Sequence, residues 1–261
     1  MDYLSPLRSE LKLKILLNLL NGERKIAELR SDVETRDTTI LHILGEFSDL
    51  GLITKSQGVY RLSSLGLLET KVFKELISTT EVIEKFKDFW LSHNVADIPL
   101  YLLLNLGALS NASIVRTEAT DLNLVHEKIV NILKSSKRIH GISPVFHSDY
   151  VPVVEKLLKE GNSATLIFTP KVLKKTSALA EIGIIKKYVL EGKLKIFLNE
   201  EVNIALTVAE NSFSMGLFHL NGEYDYGVDL TAISKEAIEW GEHLFEDVLK
   251  RSSPMDLKSL I

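Results

Sequence analysis

The sequence predicts an α+β protein in two parts. A small N-terminal helical domain closes in a β-hairpin, a long helix follows it, and a larger C-terminal α/β domain carries a mixed sheet. Three observations lead there. Residues 35–62, TRDTTILHILGEFSDLGLITKSQGVYRL, read as a helix, a glycine stop and a hairpin. Residues 65–90 repeat apolar side chains at nearly heptad spacing. From Arg138 onward, short β-prone runs alternate with helical ones.

In chain order, the first helix is expected over Leu4 to Leu20. Ser5 is its cap, Pro6 its first position, and Leu13, Leu16, Leu17 and Leu20 its buried face. Asn21-Gly22 stops it. A short helix from about Lys25 to Val33 sets Ile26, Leu29 and Val33 on one side. In the third helix, Ile40, Ile43, Leu44 and Phe47 fall at i, i+3, i+4 and i+7 and form the inner stripe. Thr38, Leu41, His42 and Gly45 form the outer one. Gly51 suits the left-handed position past a helix end. Leu52–Ser56 and Val59–Leu62 read as strands meeting at Gln57-Gly58. Helices that lead to a hairpin with a polar tip describe a winged helix-turn-helix.

Leu65, Leu68, Val72, Leu76, Ile83, Phe86 and Trp90 then mark one or two long helices, interrupted at Thr79-Thr80. Such a row suits either a helix packed on its own domain or a linker helix that pairs with a second copy; the pairing is favoured, since a dimer would read a two-fold DNA site. Pro99 opens a helix to Leu109 that is apolar almost all round and so is expected to be buried. A short link or strand over Asn111–Ala119 and a helix over Leu122–Leu133 follow.

Strands are expected at Ile139–Ser143, Ala164–Thr169 and Leu194–Leu198. The helices between them are Asp149–Glu160 and Leu173–Leu190, the latter broken near Gly183. This alternation argues for parallel pairing. Strands over Ile204–Glu210, Ser212–Leu220 and Glu223–Val228, with a turn at Asn221-Gly222, make the sheet mixed. Ser234 caps a last helix with Ala237, Trp240, Leu244, Phe245 and Val248 inward. The expected domains are 1–66, the winged helix-turn-helix; 67–94, the linker and dimerisation helix; 95–252, an effector-sensing α/β domain; and 253–261, a tail.

Composition narrows the function. The 261 residues are 45% apolar and 25% charged, which suits a globular chain with a real core. There are no cysteines, so disulfides, thiol catalysis and thiolate metal sites are excluded. No signal peptide and no membrane-length apolar run is read, so a cytoplasmic protein without membrane contact is expected. The net charge is −4, and residues 1–70 hold nine Lys/Arg against ten Asp/Glu, so any DNA contact must rest on locally placed donors. Those donors are Arg36, Thr38, Thr39 and His42 at the front of the third helix, with Lys55, Gln57 and Arg61 on the hairpin. No phosphate-binding glycine loop, metal-spaced histidine pair or acid/base constellation appears, so no cofactor, metal or catalytic residue is expected. A different group of residues belongs to a candidate effector site. Ser143, Thr169 and Asn199 end the three parallel strands, where ligands of open α/β sheets settle. His147, His219, Tyr224 and Asp229 are placed to join them.

Three resemblances extend this reading. TTILHILGEFSDLGLI and the hairpin ending YRLSSLG resemble winged-helix domains of repressors of the arsenic-repressor type. FWLSHNVADIPLYLLLNLGAL, IHGISPVFHSDYV and NGEYDYGVDLTAISKEAIEW resemble the second domain of archaeal regulators of methanogenesis. The resemblance implies an archaeal transcription factor with a sensor half whose ligand the sequence does not give. With the donors of the third helix and the apolar row of residues 65–90, the expected partners are double-stranded DNA, a second copy of the chain (a homodimer) and a small-molecule effector. The strand order is also similar to that of phospholipase D-like domains. There, catalysis needs His-x-Lys and an Asp five residues on. His126-Glu127-Lys128 supplies the first part, but Leu133 stands where the Asp belongs, so a non-catalytic version is implied. The rival readings are a small-molecule-processing enzyme with a winged-helix appendage and a protein-interaction module.

Overall fold

The computed structural model describes residues 5–118 and 120–256, apart from the side chains of residues 5 and 7. The chain divides between Ser78 and Thr79 into two compact units.

In the first unit a 3-10 turn, Ser5–Arg8, precedes α1, Glu10–Leu20. The expected single helix from Leu4 is thus split. Ser9 is the cap, with extended backbone, and its hydroxyl accepts the Lys12 N–H at 3.4 Å. Leu4 and the Ser5 side chain lie outside the described residues. The buried face is Ile15, Leu16 and Leu19 rather than Leu13, Leu16, Leu17 and Leu20, because the helix starts later and turns a different stripe inward.

The rest of this unit is β1, Arg24–Lys25; α2, Ile26–Val33; α3, Asp37–Asp49; β2, Ile53–Ser56; β3, Val59–Leu62; and the part of α4, Ser64–Lys85, that precedes Thr79. Glu28 accepts the Lys25 N–H at 2.6 Å and secures the start of α2. α3 buries Ile40, Ile43, Leu44 and Phe47 against Leu16, Leu29 and Tyr60, and it ends with Gly51 at φ +72°. Gln57 and Gly58, at φ +49° and +79°, make the tight turn whose twist matches a hairpin. β1 joins the hairpin by pairing Arg24 with Tyr60, which completes a three-stranded sheet.

α4 runs unbroken through Thr79-Thr80 and stops at Phe86, where α5, Lys87–Ser92, begins. The expected interruption is absent because Thr79 turns its hydroxyl onto the Leu104 carbonyl, 3.0 Å away, without disturbing the helix. Phe86 is buried in the core of the second unit, whereas Leu65, Leu68 and Val72 are 47%, 66% and 65% exposed. The heptad-like row is therefore not one surface.

The second unit continues with α6, Leu100–Leu103, and a 3-10 turn, Leu106–Leu109. The helix expected over Leu100–Leu109 is broken at Asn105. Leu102, Leu106 and Leu109 are buried, while Leu100, Tyr101 and Leu104 are exposed. β4, Ser113–Arg116; α7, Leu124–Ser135; β5, Arg138–Ser143; α8, Tyr150–Lys159; β6, Ser163–Phe168; α9, Pro170–Leu179; α10, Ile182–Leu190; and β7, Leu194–Leu198, follow. The helical break falls at Ala180-Glu181 rather than at Gly183. Next are β8, Ile204–Ala209; β9, Phe213–Leu217; β10, Val228–Ala232; α11, Lys235–Lys250; and β11, Ser253–Pro254.

One eight-stranded mixed sheet results, in the order β11-β7-β6-β5-β8-β9-β10-β4. β5, β6 and β7 are parallel, and the other pairings are antiparallel. The strand expected over Glu223–Val228 lies later, at Val228–Ala232. After Gly222, at φ +86°, the chain makes only a single bridge, Phe218 to Tyr224. Asp225 then accepts the Gly227 N–H at 2.8 Å, and this turn delays the pairing. Period-2 alternation gives each sheet face its own core. Ile142, Ile167, Leu206 and Val208 pack with α11, and Ile139, Ala164, Leu194 and Ile196 pack with α7, α8 and α10. Among the described residues, no helix is long and apolar enough to cross a membrane.

Candidate nucleic-acid interface and buried cavity

All seven donors expected on the winged helix are exposed. Arg36 is the N-cap of α3, with extended backbone, so its side chain stands at the front of the helix. Thr38 and Thr39 follow in the first turn. His42 projects from the next turn with its side chain 75% exposed and its Nδ1 3.3 Å from Glu46. On the hairpin, Lys55 lies over the Tyr60 ring, and the Arg61 Nε–H donates to Thr54 Oγ1 at 3.1 Å. Gln57 forms the tip. Two groups were not foreseen. Asp37 places a carboxylate at the helix front, and Arg30 of α2 neutralises it at 3.5 Å. Only the packing of α2 on α3 brings that arginine there.

The second unit holds a cavity of about 150 Å³ between the β5 region of the sheet, α7 and α8. Its walls are mainly Val125, Ile129, Val151, Val154, Leu166 and Phe168. The polar lining includes Ser143, His147, Tyr150, Ser214, Tyr224, Tyr226 and Asp229. Asp229 is 2% exposed; its Oδ2 accepts the Ser214 hydroxyl at 2.7 Å, and its Oδ1 has no partner. Burial pushes its carboxyl up to about 7, the Ser214 hydrogen bond opposes that, and the Asp225 charge adds to it. Burial, and next the Asp229 charge, hold the Tyr224 phenol well above its ordinary value. Gly216 leaves the space these two side chains use, since a Cβ there would lie 2.2 Å from Tyr224 Oη and 2.6 Å from Asp229 Oδ1.

Beside the cavity, His126 and His147 stack with ring centroids 3.4 Å apart. His126 Nε2 lies 3.0 Å from Asp149 Oδ2, and its Nδ1 lies 3.2 Å from Tyr150 Oη. Burial first, and then His126, lower the basicity of His147. Lys128 is exposed two positions on from His126, and residues at that spacing do not share a helix face. Leu133 is buried in the core. The His-x-Lys pair therefore does not converge on one phosphate.

Of the candidate effector residues, Ser143, His147, Tyr224 and Asp229 meet at the cavity. Thr169 instead caps α9, accepting the Val172 N–H at 3.3 Å. The Asn199 amide donates to Ser252 Oγ at 3.3 Å. His219 joins His93 and Asp225 elsewhere in the unit. Tyr150, Ser214 and Tyr226 were missed, because nothing in their local spacing marks them.

Residues 5–81 match the N-terminal domain of methanogenesis regulatory protein FilR1, and residues 122–251 match its middle domain. The FilR1 protein of Methanothrix harundinacea (strain 6Ac) is 32% identical over 256 residues, which cover 95% of this chain and 56% of that protein. The chain thus spans little more than half the length of the curated relative it matches. Among solved structures, TrmBL2, described as an archaeal chromatin protein, is similar at TM-score 0.45 and 15% identity, over 97% of this chain and 98% of its own. NucT from Helicobacter pylori is similar at TM-score 0.43 and 14% identity, over 55% of this chain and 98% of its own. Neither likeness carries a functional conclusion. The two matched domains and the relative's identity along nearly the whole chain make this chain a member of the methanogenesis regulatory protein FilR1 family, with that family's N-terminal and middle domains.

Proposed function

We propose that the chain is a DNA-binding transcriptional regulator that acts as a homodimer and responds to a small molecule held in the cavity. The observation that carries this reading is the exposed donor set on α3 and its hairpin, in a unit that matches the N-terminal domain of a regulatory protein. Arg36, Thr38, Thr39 and His42 would enter the major groove, while Lys55, Gln57 and Arg61 hold the flanking backbone. With DNA selected from a random pool, Arg36→Ala is expected to weaken specific binding by about 1–3 kcal/mol, roughly 5- to 150-fold. Lys55→Ala should weaken all sequences alike and lower the salt dependence by about one ion. Circular dichroism should be unchanged in both. An Arg36→Ala titration that overlays the wild type would remove α3 from the interface.

The dimer rests on the exposed apolar residues of α4 at Leu65, Leu68 and Val72, whose spacing gives one stripe. Burying such a stripe against its copy removes apolar surface from water. Leu68→Glu with Val72→Glu is expected to turn a sedimenting dimer into a monomer and to abolish tight binding to a two-fold site. A wild-type chain that sediments as a monomer at DNA-binding concentrations would contradict this.

The effector suited to the cavity is small and mostly apolar, with one donor or positively charged end for Asp229. It can alter DNA affinity only if it binds the DNA-competent and incompetent forms unequally. α4 extends through the division between the two units, so it is the element assigned to carry that difference.

A further inference from the structure

His93, His219 and Asp225 meet at one point of the second unit, on a backbone frame that pairs residues far apart in sequence. His93 ends α5, and His219 and Asp225 lie in the loop after β9. His93 and His219 form an antiparallel bridge, and the Asn94 N–H donates to the Phe218 carbonyl at 2.8 Å. The N–H of His219 donates to the Glu223 carbonyl at 2.8 Å, and that of Asp225 to the Leu217 carbonyl at 3.2 Å.

Each side chain is also oriented from its far end. His93 Nδ1 lies 2.7 Å from the Phe89 carbonyl, and His219 Nδ1 lies 3.3 Å from the Ser92 carbonyl. A carbonyl only accepts, so each Nδ1 carries a proton and each neutral ring turns a lone pair out at Nε2. Those Nε2 atoms lie 3.2 Å and 3.5 Å from Asp225 Oδ2. Asp225 Oδ1 is engaged by the Gly227 N–H at 2.8 Å, which aims Oδ2 at the two rings.

Three acceptors therefore converge, and such a set repels itself unless a cation joins it. Protons on both rings would supply one. That would bury a charge at His93, whose side chain is 2% exposed, and stack two imidazolium rings 5.0 Å apart. A metal ion fits with neither cost. Zinc bonds of about 2.0–2.1 Å in a tetrahedron set neighbouring donors about 3.3 Å apart; the two Nε2 atoms lie 3.2 Å and 3.5 Å from Asp225 Oδ2, and all three ligand atoms are within 4.8 Å of one another. Outer hydrogen bonds that lock the tautomer of each histidine and the direction of the carboxylate are the usual support of such ligands.

We propose that His93 Nε2, His219 Nε2 and Asp225 Oδ2 bind a divalent transition-metal ion, zinc foremost. The partly exposed His219 leaves the fourth position to water. The ion would fasten the end of α5 to the loop that carries Tyr224 and leads to Asp229, so its role is to stiffen one side of the cavity rather than to catalyse. This assignment does not rest on the regulatory reading.

The test uses the full chain, stripped with a chelator and titrated with Zn²⁺ against a chromogenic competitor, with metal content measured after gel filtration. One ion per chain is expected. His219→Ala and the isosteric Asp225→Asn should each weaken binding at least 100-fold. His126→Ala, which opens the other histidine cluster, should leave it unchanged. Circular dichroism of Asp225→Asn checks that the loss is not unfolding. No stoichiometric uptake, uptake that survives both ligand changes, or uptake lost in His126→Ala instead would each overturn the assignment.

Discussion

Replacing Asp229 with asparagine is expected to make the second unit more stable than the wild type above pH 7, by an amount that vanishes towards pH 4. Asp229 is 2% exposed, its Oδ1 has no partner, and its carboxyl titrates near 7 instead of 3.8. A carboxyl whose folded pKa is raised favours the folded state when protonated. Its penalty is absent below the unfolded pKa, grows as pH rises from about 4, and is complete above about 7. At about 1.4 kcal/mol per pH unit, the full penalty is of the order of 4 kcal/mol. Asparagine keeps an oxygen for the Ser214 hydroxyl and does not titrate. Denaturant unfolding of both proteins at pH 4 and pH 8 isolates the effect, because titrating groups away from Asp229 cancel in the difference. A difference independent of pH would mean that Asp229 is not held neutral. The same variant sorts effectors. A ligand that brings a cationic group loses affinity for the Asp229→Asn protein, whereas one that brings a hydroxyl does not. A ligand that binds there and leaves DNA affinity unchanged would show the proposed coupling to be wrong.

Gly66→Ala is expected to destabilise the first unit by roughly 3 kcal/mol, and the proposed DNA binding should be lost as that unit unfolds. Gly66 is buried in the first turn of α4. A Cβ there would stand 1.9 Å from the Leu52 carbonyl oxygen and 2.8 Å from its carbon, both of them backbone. Neither can swing aside. The Leu52 carbonyl accepts the Ser63 N–H at 2.8 Å, and Ser63 Oγ donates to the Gly51 carbonyl at 2.6 Å while accepting the Gly66 N–H at 3.0 Å. This small knot ties the start of α4 to the end of α3 and the first strand of the hairpin. Thermal unfolding of full-length Gly66→Ala should show an early transition absent from the wild type. Superimposable curves would mean that the knot yields.

The winged helix was legible because its signals are local. Ile40, Ile43, Leu44 and Phe47 lie on one face at helical spacing, and they are the residues buried. Gly51 and Gln57-Gly58 mark the stop and the turn, and both carry the left-handed backbone such turns require. β1 and β11 were not legible, since two residues have no period and become strands only when β3 and β7 offer an edge. The run from Leu100 to Leu109 misled, since an all-apolar stretch gives no direction of burial. Only the neighbouring elements turn Leu102, Leu106 and Leu109 inward and leave Leu100 and Leu104 outside.

The sequence by itself determined the winged helix-turn-helix, the parallel β5-β6-β7 core of the sheet and the polar face of α3, because each depends on side chains a few positions apart. Only the tertiary structure decided which polar groups share a site. Ser143 and Asp229 face one cavity, while Thr169 and Asn199 serve as local ties. His93 meets Asp225 across 132 positions. The physical reason is that convergence is created by strand pairing and the exclusion of water. A residue's spacing from its sequence neighbours carries neither.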